Sequence, residues 1–335
     1  MATAPYGIAG VANYTPEINE IPNTYGLIQK RGYFKLEGIS TTVALIDKVG
    51  DSLSILPTVP RGGPATRASG ESRSTLALQI PHIPYDDFLT PEDVQDRRAP
   101  GDTGPDTIER NRLKKVKKLR LAHAQTREYM RLGAIKGLIK DGNGTTIYNL
   151  FTEFGVTQKT TSMDLATATT NVKSKILEIK RYVEENIQNG GVFTGIDVLC
   201  SSGFFDKLTN HPDVVEAYQF FAATNGQNPN RNDHRSGFEF QGVTFIEYNG
   251  SVKLADGTSE ALIDTDTAHV VPVGVEDLFM DYMAPANHID YVNTDGLEMY
   301  LWEIDPGTGR QYILQSESNP LPICRRPKIL IKLTA

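Results

Sequence analysis

Apolar positions recur at helical spacing through one stretch longer than any other in the chain, DTIERNRLKKVKKLRLAHAQTREYMRLGAIKGLIK at Asp106–Lys140. Ile108, Leu113, Val116, Leu119, His123, Met130, Ala134 and Leu138 fall in one broad stripe at about 100° per residue, which predicts a single spine helix with that stripe packed. Asp106 or Thr107 can cap it behind Pro100, Gly101, Gly104 and Pro105, and Asp141-Gly142-Asn143-Gly144 can end it. At about 1.5 Å per residue it would run roughly 50 Å, more than most globular domains need. Arg110, Lys114, Lys115, Lys117 and Lys118 gather on the other side. That cluster reads either as a solvated face or as a basic face turned toward polyanion or acidic neighbours.

A second helix follows Asp164, with Val172, Ile176, Ile179, Val183 and Ile187 at alternating steps of three and four and Gly190-Gly191 to stop it. Elsewhere the pattern is shorter. Strands are expected at Tyr33–Leu36, Thr41–Ile46, around Leu76, Leu78 and Ile80, and then at Thr145–Gly155, Ile196–Cys200, Phe238–Tyr248, Thr267–Val273 and Lys328–Leu333. Short helices are expected after Ser201 and from Pro212. Asn249-Gly250 or Asp256-Gly257 can make tight hairpin turns. Leu297–Ile304 and Gln311–Gln315 should pair across Asp305–Gly309. Their apolar residues occur on both faces, so either both sides are buried or one is given to a partner.

Two stretches carry no such period. Residues 1–32, with Pro5, Gly7, Gly10, Pro16, Pro22, Gly26 and Gly32, predict neither helix nor sheet but an extended arm. Arg61-Gly62-Gly63-Pro64 through Gly70 is a polar loop too long for the inside of one compact domain, and reads either as a projecting hairpin that lies on an adjacent subunit or as a disordered surface loop. The whole is α+β, with no internal repeat.

Composition narrows the function. The 335 residues, 39% hydrophobic and 22% charged, are enough for a large core and two lobes, and a net charge of -7 argues against coating nucleic acid wholesale. No apolar run approaches a membrane span, and Met1–Pro22 lacks the charged start and apolar core of a secretory signal. Cys200 and Cys324 are too few for a disulfide framework, so a reducing intracellular origin is expected.

The search for chemistry returns little. There is no phosphate loop and no Gly-x-Ser-x-Gly elbow, and Gly307-Thr308-Gly309 lacks dinucleotide-binding context. Cys200 reads as an inert buried thiol. The six histidines lack zinc spacing. Asp86-Asp87 and Glu92-Asp93 read as solvated loop charges rather than a cation site. Glu247, Asp264 and Asp266 could form an acid–base set only if the fold united them. No catalytic residue, cofactor or metal is expected, and the balance shifts toward structure and assembly.

The order of parts (arm, polar hairpin, spine, mixed lobe ending in strands) resembles the Hong Kong-type capsid fold of tailed phages, and more narrowly the lambda-type major capsid protein E family. RGGPATRASGE at Arg61–Glu71, LTPEDVQ at Leu89–Gln95, the basic start of the spine, IDVLCSSGFFDKLTNHPDVVEAY at Ile196–Tyr218, GFEFQGVTFIEYNG at Gly237–Gly250 and SESNPLPICRRPKILIKL at Ser316–Leu333 carry the resemblance. It implies an N-terminal arm over 1–46 and an extended loop with linker over 47–105. A peripheral domain with the spine would take 106–163 and 286–318, and an axial domain 164–285 and 319–335.

The implied function is a shell subunit forming hexamers and pentamers around double-stranded DNA, located in the virion and assembled in the host cytoplasm. The alternative is an encapsulin-like nanocompartment of the same fold. Within the loop, Arg61, Gly62, Gly63, Arg67 and Arg73 would overlap a neighbour, while Arg110, Lys114, Lys115, Lys117 and Lys118 would form an inward basic face. Partners would be other copies of the chain, decoration, scaffolding and portal proteins, and DNA without sequence preference, with no membrane. Some relatives crosslink a loop lysine to a neighbour's asparagine. Arg61–Tyr85 holds no lysine, so no crosslink is expected. The short arm likewise implies a separate scaffold.

Overall fold

The computed structural model describes residues 11–13, 26–49, 73–95, 107–187, 193–217 and 237–335. The chain divides into two compact units. One comprises Met1–Ala44, Gln79–Arg131 and Phe279–Ile323; the other comprises Leu45–Leu78, Leu132–Leu278 and Cys324–Ala335.

In the first unit the spine helix packs on a four-stranded antiparallel sheet. Its strands run in the order Val11–Asn13, Tyr300–Ile304, Tyr312–Ser318 and Ile83–Leu89. Strand alternation sends Leu301 and Leu314 against Val116 and Leu119 of the helix, with Met299 closing the cluster. Their sequence neighbours Tyr300 and Trp302 point the other way, and there Ala286 and Tyr291 cover them. Apolar residues on both faces of this hairpin are thus covered within the chain at Met299, Tyr300, Leu301, Trp302 and Leu314, while Leu297 stays exposed. A three-stranded sheet (Pro320–Cys324, Phe279–Met283, Lys35–Gly38) completes the unit.

In the second unit six strands lie in the order Phe238–Phe240, Val243–Glu247, Gly195–Cys200, Thr267–Val273, Ile331–Thr334 and Lys159–Ser162. Central Gly195–Cys200 is buried along almost its whole length, as befits a strand covered on both faces. Helix Val172–Asn186 buries Val172, Ile176, Ile179 and Val183, the stripe the sequence predicts, and Asn171 caps it by accepting from Ser174 N at 2.9 Å. Its expected stop at Gly190-Gly191 lies outside the described residues.

Several boundaries move. The spine is Ile108–Lys136, and residues Leu138–Lys140 are instead a strand paired with Thr146–Asn149. Gly137 makes the break: at φ +84 it adopts the left-handed geometry that ends a helix, and Phe151 occupies the space a Cβ would need. The stripe is also shorter than its period suggests, because Ile108, Leu113 and Leu138 are exposed. Thr145–Gly155 is a strand only to Asn149, whose side chain then caps helix Leu150–Phe154 by accepting from Phe151 N at 3.0 Å.

Phe238–Tyr248 is a hairpin of two strands, because Gln241 and Gly242 both take positive φ (53 and 68), the geometry of a tight hairpin turn. Lys328–Leu333 begins as a short 3-10 turn, Pro327–Ile329, before strand Ile331–Thr334. The arm is not featureless. Val11–Asn13 forms an edge strand on the chain's own Tyr300–Ile304, and Leu27–Arg31 is a helix that buries Ile28.

Candidate assembly surfaces

The spine packs with arginine as much as with hydrocarbon. On the helical wheel Arg112, Arg120, Arg127 and Arg131 share the packed side with Val116, Leu119, His123 and Met130. Each meets an acid on a strand or loop of the same unit. Arg112 Nη2 donates to Glu303 Oε1 at 2.9 Å, Arg127 Nη2 to Glu298 Oε2 at 3.2 Å, and Arg131 Nε to Asp281 Oδ2 at 2.8 Å. Arg120 lies 3.8 Å from the same Glu298 oxygen. A guanidinium suits this duty because its planar fork pairs with carboxylates and its charge survives burial. Glu128 reverses the pattern, accepting from Ile28 N at 2.8 Å and so tethering the short N-terminal helix.

Two lysines of the predicted basic face are also engaged within the chain. Lys115 Nζ donates to Phe88 O at 2.6 Å and stands 3.0 Å from Asp93 and 3.4 Å from Asp87. Lys118 reaches Asp87 at 3.4 Å. Asp93 is held below the usual carboxylate range, first by the Thr90 backbone N–H and then by Lys115. Asp87 and Asp93, half of the weighed cation pairs, are thus ligands for ammonium groups. Arg110, Lys114 and Lys117 are exposed. Arg73 opens strand Arg73–Gln79; Arg61, Gly62, Gly63 and Arg67 lie outside the described residues.

Three further groupings escaped sequence reading. His123 is buried beside Arg127, and burial, then that charge, lowers its pKa to about 4. Its Nε2 lies 3.0 Å from Ser316 Oγ, whose own proton goes to Tyr85 O, so the neutral ring donates from Nε2. Glu317 accepts from Asn287 N at 2.9 Å and Asn319 Nδ2 at 2.6 Å, with His82 Nδ1 3.0 Å away. Finally His288 stacks on Trp302 at 4.7 Å while Ile289 and Val292 beside it stand exposed. Asp264 and Asp266 form no acid–base set with visible purpose: each faces a lysine, Lys332 at 3.6 Å and Lys207 at 2.9 Å.

What these surfaces offer is charge and bare apolar side chains, the means of association. Residues 10–335 match the family described as phage major capsid protein E. The chain belongs to that family. The major capsid protein of Pseudomonas phage KPP10 is 30% identical over 93% of this chain and 93% of its own length. Among solved structures, a protein assigned as the capsid protein of a prophage in Escherichia coli CFT073 superposes with a TM-score of 0.59 at 14% identity, covering 97% of this chain and 99% of its own. The mature capsid of bacteriophage PhiM1 gives 0.53 at 14% identity over 94% and 89%. This capsid protein therefore has the α+β Hong Kong-type fold, and its family is a structural one. Among its described residues no helix is long and apolar enough to cross a membrane.

Proposed function

We propose that the chain is the shell subunit of a tailed-phage head, assembling into hexamers and pentamers that close around double-stranded DNA. The observation that carries this is the family match, which runs from residue 10 to residue 335. It favours a phage head over an encapsulin-like nanocompartment of the same fold. In this reading 106–163 with 286–318 serve as the peripheral domain and 164–285 with 319–335 as the axial domain. The loop over 47–105, with Arg61, Gly62, Gly63, Arg67 and Arg73, reaches a neighbouring copy, and 1–46 acts as the arm.

Of the basic face, the exposed Arg110, Lys114, Lys117 and Lys118 are the residues offered to DNA or to a neighbour's acids. Interfaces of about 2,000–5,000 Å² per subunit, each modest in net strength, would let misplaced subunits leave before closure. Scaffolding, decoration and portal proteins are the expected partners, with assembly in the host cytoplasm. Without a loop lysine no covalent crosslink forms, so shells hold by buried interface and a cementing protein, and mature particles should run as monomers on a denaturing gel. Negative-stain microscopy of particles tests the whole reading: DNA-filled icosahedral heads are expected, and a small soluble oligomer would overturn it.

A further inference from the structure

At one point on the spine two buried arginines share one carboxylate among the described residues. Arg120 and Arg127, a helical two turns apart, converge on the single carboxylate of Glu298. Arg127 is hydrogen-bonded to it; Arg120, at 3.8 Å, is beyond hydrogen-bonding reach. Only 9% of Arg120 is exposed, and its Nε, sealed from solvent, has no hydrogen-bond partner among the described residues. His123 cannot balance the charge, because it is neutral, and Arg131 is spent on Asp281. Two guanidiniums and one carboxylate leave a net single positive charge. Burial first, and then the neighbouring Arg127, lower the pKa of Arg120 against the opposing charge of Glu298. A buried guanidinium whose nearest carboxylate lies beyond hydrogen-bonding reach is poorly compensated.

The same residues line a half-open cleft, with Arg120, His123 and Arg127 on one wall and Glu298, Met299 and Ser318 on the other. It has room for about one water-sized group. Ser318 Oγ is turned away, donating to Glu298 O at 2.7 Å, so the cleft's donors are the guanidiniums.

We propose that this cleft is a seat for one anionic oxygen, and that the oxygen belongs to an Asp or Glu side chain of a second copy of the chain. The inference rests on the reading that copies assemble. Size and charge select the occupant. A carboxylate on its flexible stem can insert a single oxygen into a water-sized cleft. A DNA phosphodiester, carrying a sugar on either side, needs an open groove, and Glu298 at the lip repels a polyanion. Seated there, the neighbour's carboxylate would give the Arg120 guanidinium a hydrogen-bonded, charge-assisted partner beside the more distant Glu298. The subunit would then be better satisfied in the shell than alone.

The test compares shells and unassembled subunits for the wild type and Arg120→Gln, which removes the excess charge while Arg127 keeps Glu298. The melting temperature of Arg120→Gln shells is expected to fall by about 5 °C or more, with that of the free subunit unchanged or raised. An equal fall in both would overturn the proposal in favour of a role inside the subunit, and unchanged shells would overturn it outright. A loss confined to DNA-filled particles, absent from empty ones, would reassign the seat to phosphate. A free wild-type subunit stabilised by chloride over gluconate at equal ionic strength, with Arg120→Gln insensitive, would reassign it to a halide.

If Arg120→Gln does not fold, Arg120→Lys replaces it: its shells should fall between the other two, and wild-type behaviour in both states would refute the proposal. Failure of the wild type to form shells at all would instead sink the assembly reading, a distinct result.

Discussion

Arg131 and Asp281 form an ion pair from which water is excluded on both sides: 3% of the guanidinium side chain and none of the carboxylate is exposed, at 2.6 Å. The arginine also donates to Gln29 and lies over the Phe34 ring at 5.6 Å, so one side chain joins the spine, the N-terminal helix and strand Phe279–Met283. Replacing such a pair by hydrocarbon is often tolerated, whereas removing one partner strands the other charge. Arg131→Met should therefore cost about 3–5 kcal/mol, and Arg131→Met with Asp281→Leu should recover most of it. Denaturant titration of the free subunit reads both, and a double variant no better than the single would show that packing around the pair, not charge, sets the cost.

A second prediction concerns backbone space. Gly26 sits at φ +97 directly against the Glu128 carboxylate that receives Ile28 N. Any side chain there meets both a strained backbone and that carboxylate. Gly26→Ala should lower stability by about 1–3 kcal/mol, and should speed amide exchange at Ile28. Loss of stability without faster exchange there would mean that Glu128 moves aside.

Whether such features can be read from sequence depends on what encodes them. Helix Val172–Asn186 was legible because its apolar stripe is uninterrupted and its cap, Asn171, is local. The end of the spine was not, because Leu138 continues the period and only the close approach of Phe151 to Gly137 shows that the chain must turn. The exposed Ile108 and Leu113 show the converse, since period alone cannot say where the partner sheet stops. For the surfaces the miss was of another kind. Counting apolar residues made lysines the visible charges. Yet Arg112, Arg120, Arg127 and Arg131 recur at spacings of eight, seven and four, the period of the buried face, and that signal was available. Their partners Glu298, Glu303 and Asp281 come from distant parts of the chain and carry no local mark.

Acid should act through two histidines. Burial, reinforced by Arg127, lowers His123 to about 4; burial, reinforced by Lys136 and Lys332 against the opposing Asp264, lowers His269 to about 3. In the unfolded chain both titrate near 6.5, so below that pH the unfolded state binds protons that the folded state refuses. Stability is thus full above about pH 6.5 and falls as pH drops toward 4, by about 1.4 kcal/mol per unit for each ring. His269→Gln or His123→Gln should each reduce the slope of stability against pH in this window by about one proton. An unchanged slope in both variants would assign acid sensitivity to the carboxylates instead.

The last prediction follows from Lys115. Its ammonium gathers Phe88 O, Asp87 and Asp93, the end of strand Ile83–Leu89 and the turn after it, onto the spine. That strand is the last of the four-stranded sheet, so the lysine fixes its end against the spine. Lys115 and Asp87 are each only 19% exposed, which limits screening without abolishing it. Lys115→Met keeps most of the stem's packing but surrenders three polar contacts, and should cost about 1–2 kcal/mol. Amide exchange should quicken at Phe88 through Val94 while Tyr312–Ser318, on the inner side of the pairing, stays protected. High salt should weaken the wild type toward the variant, and leave the variant itself nearly unmoved. If exchange instead rose equally along Tyr312–Ser318, the lysine would be holding the whole sheet to the helix rather than the strand's end alone.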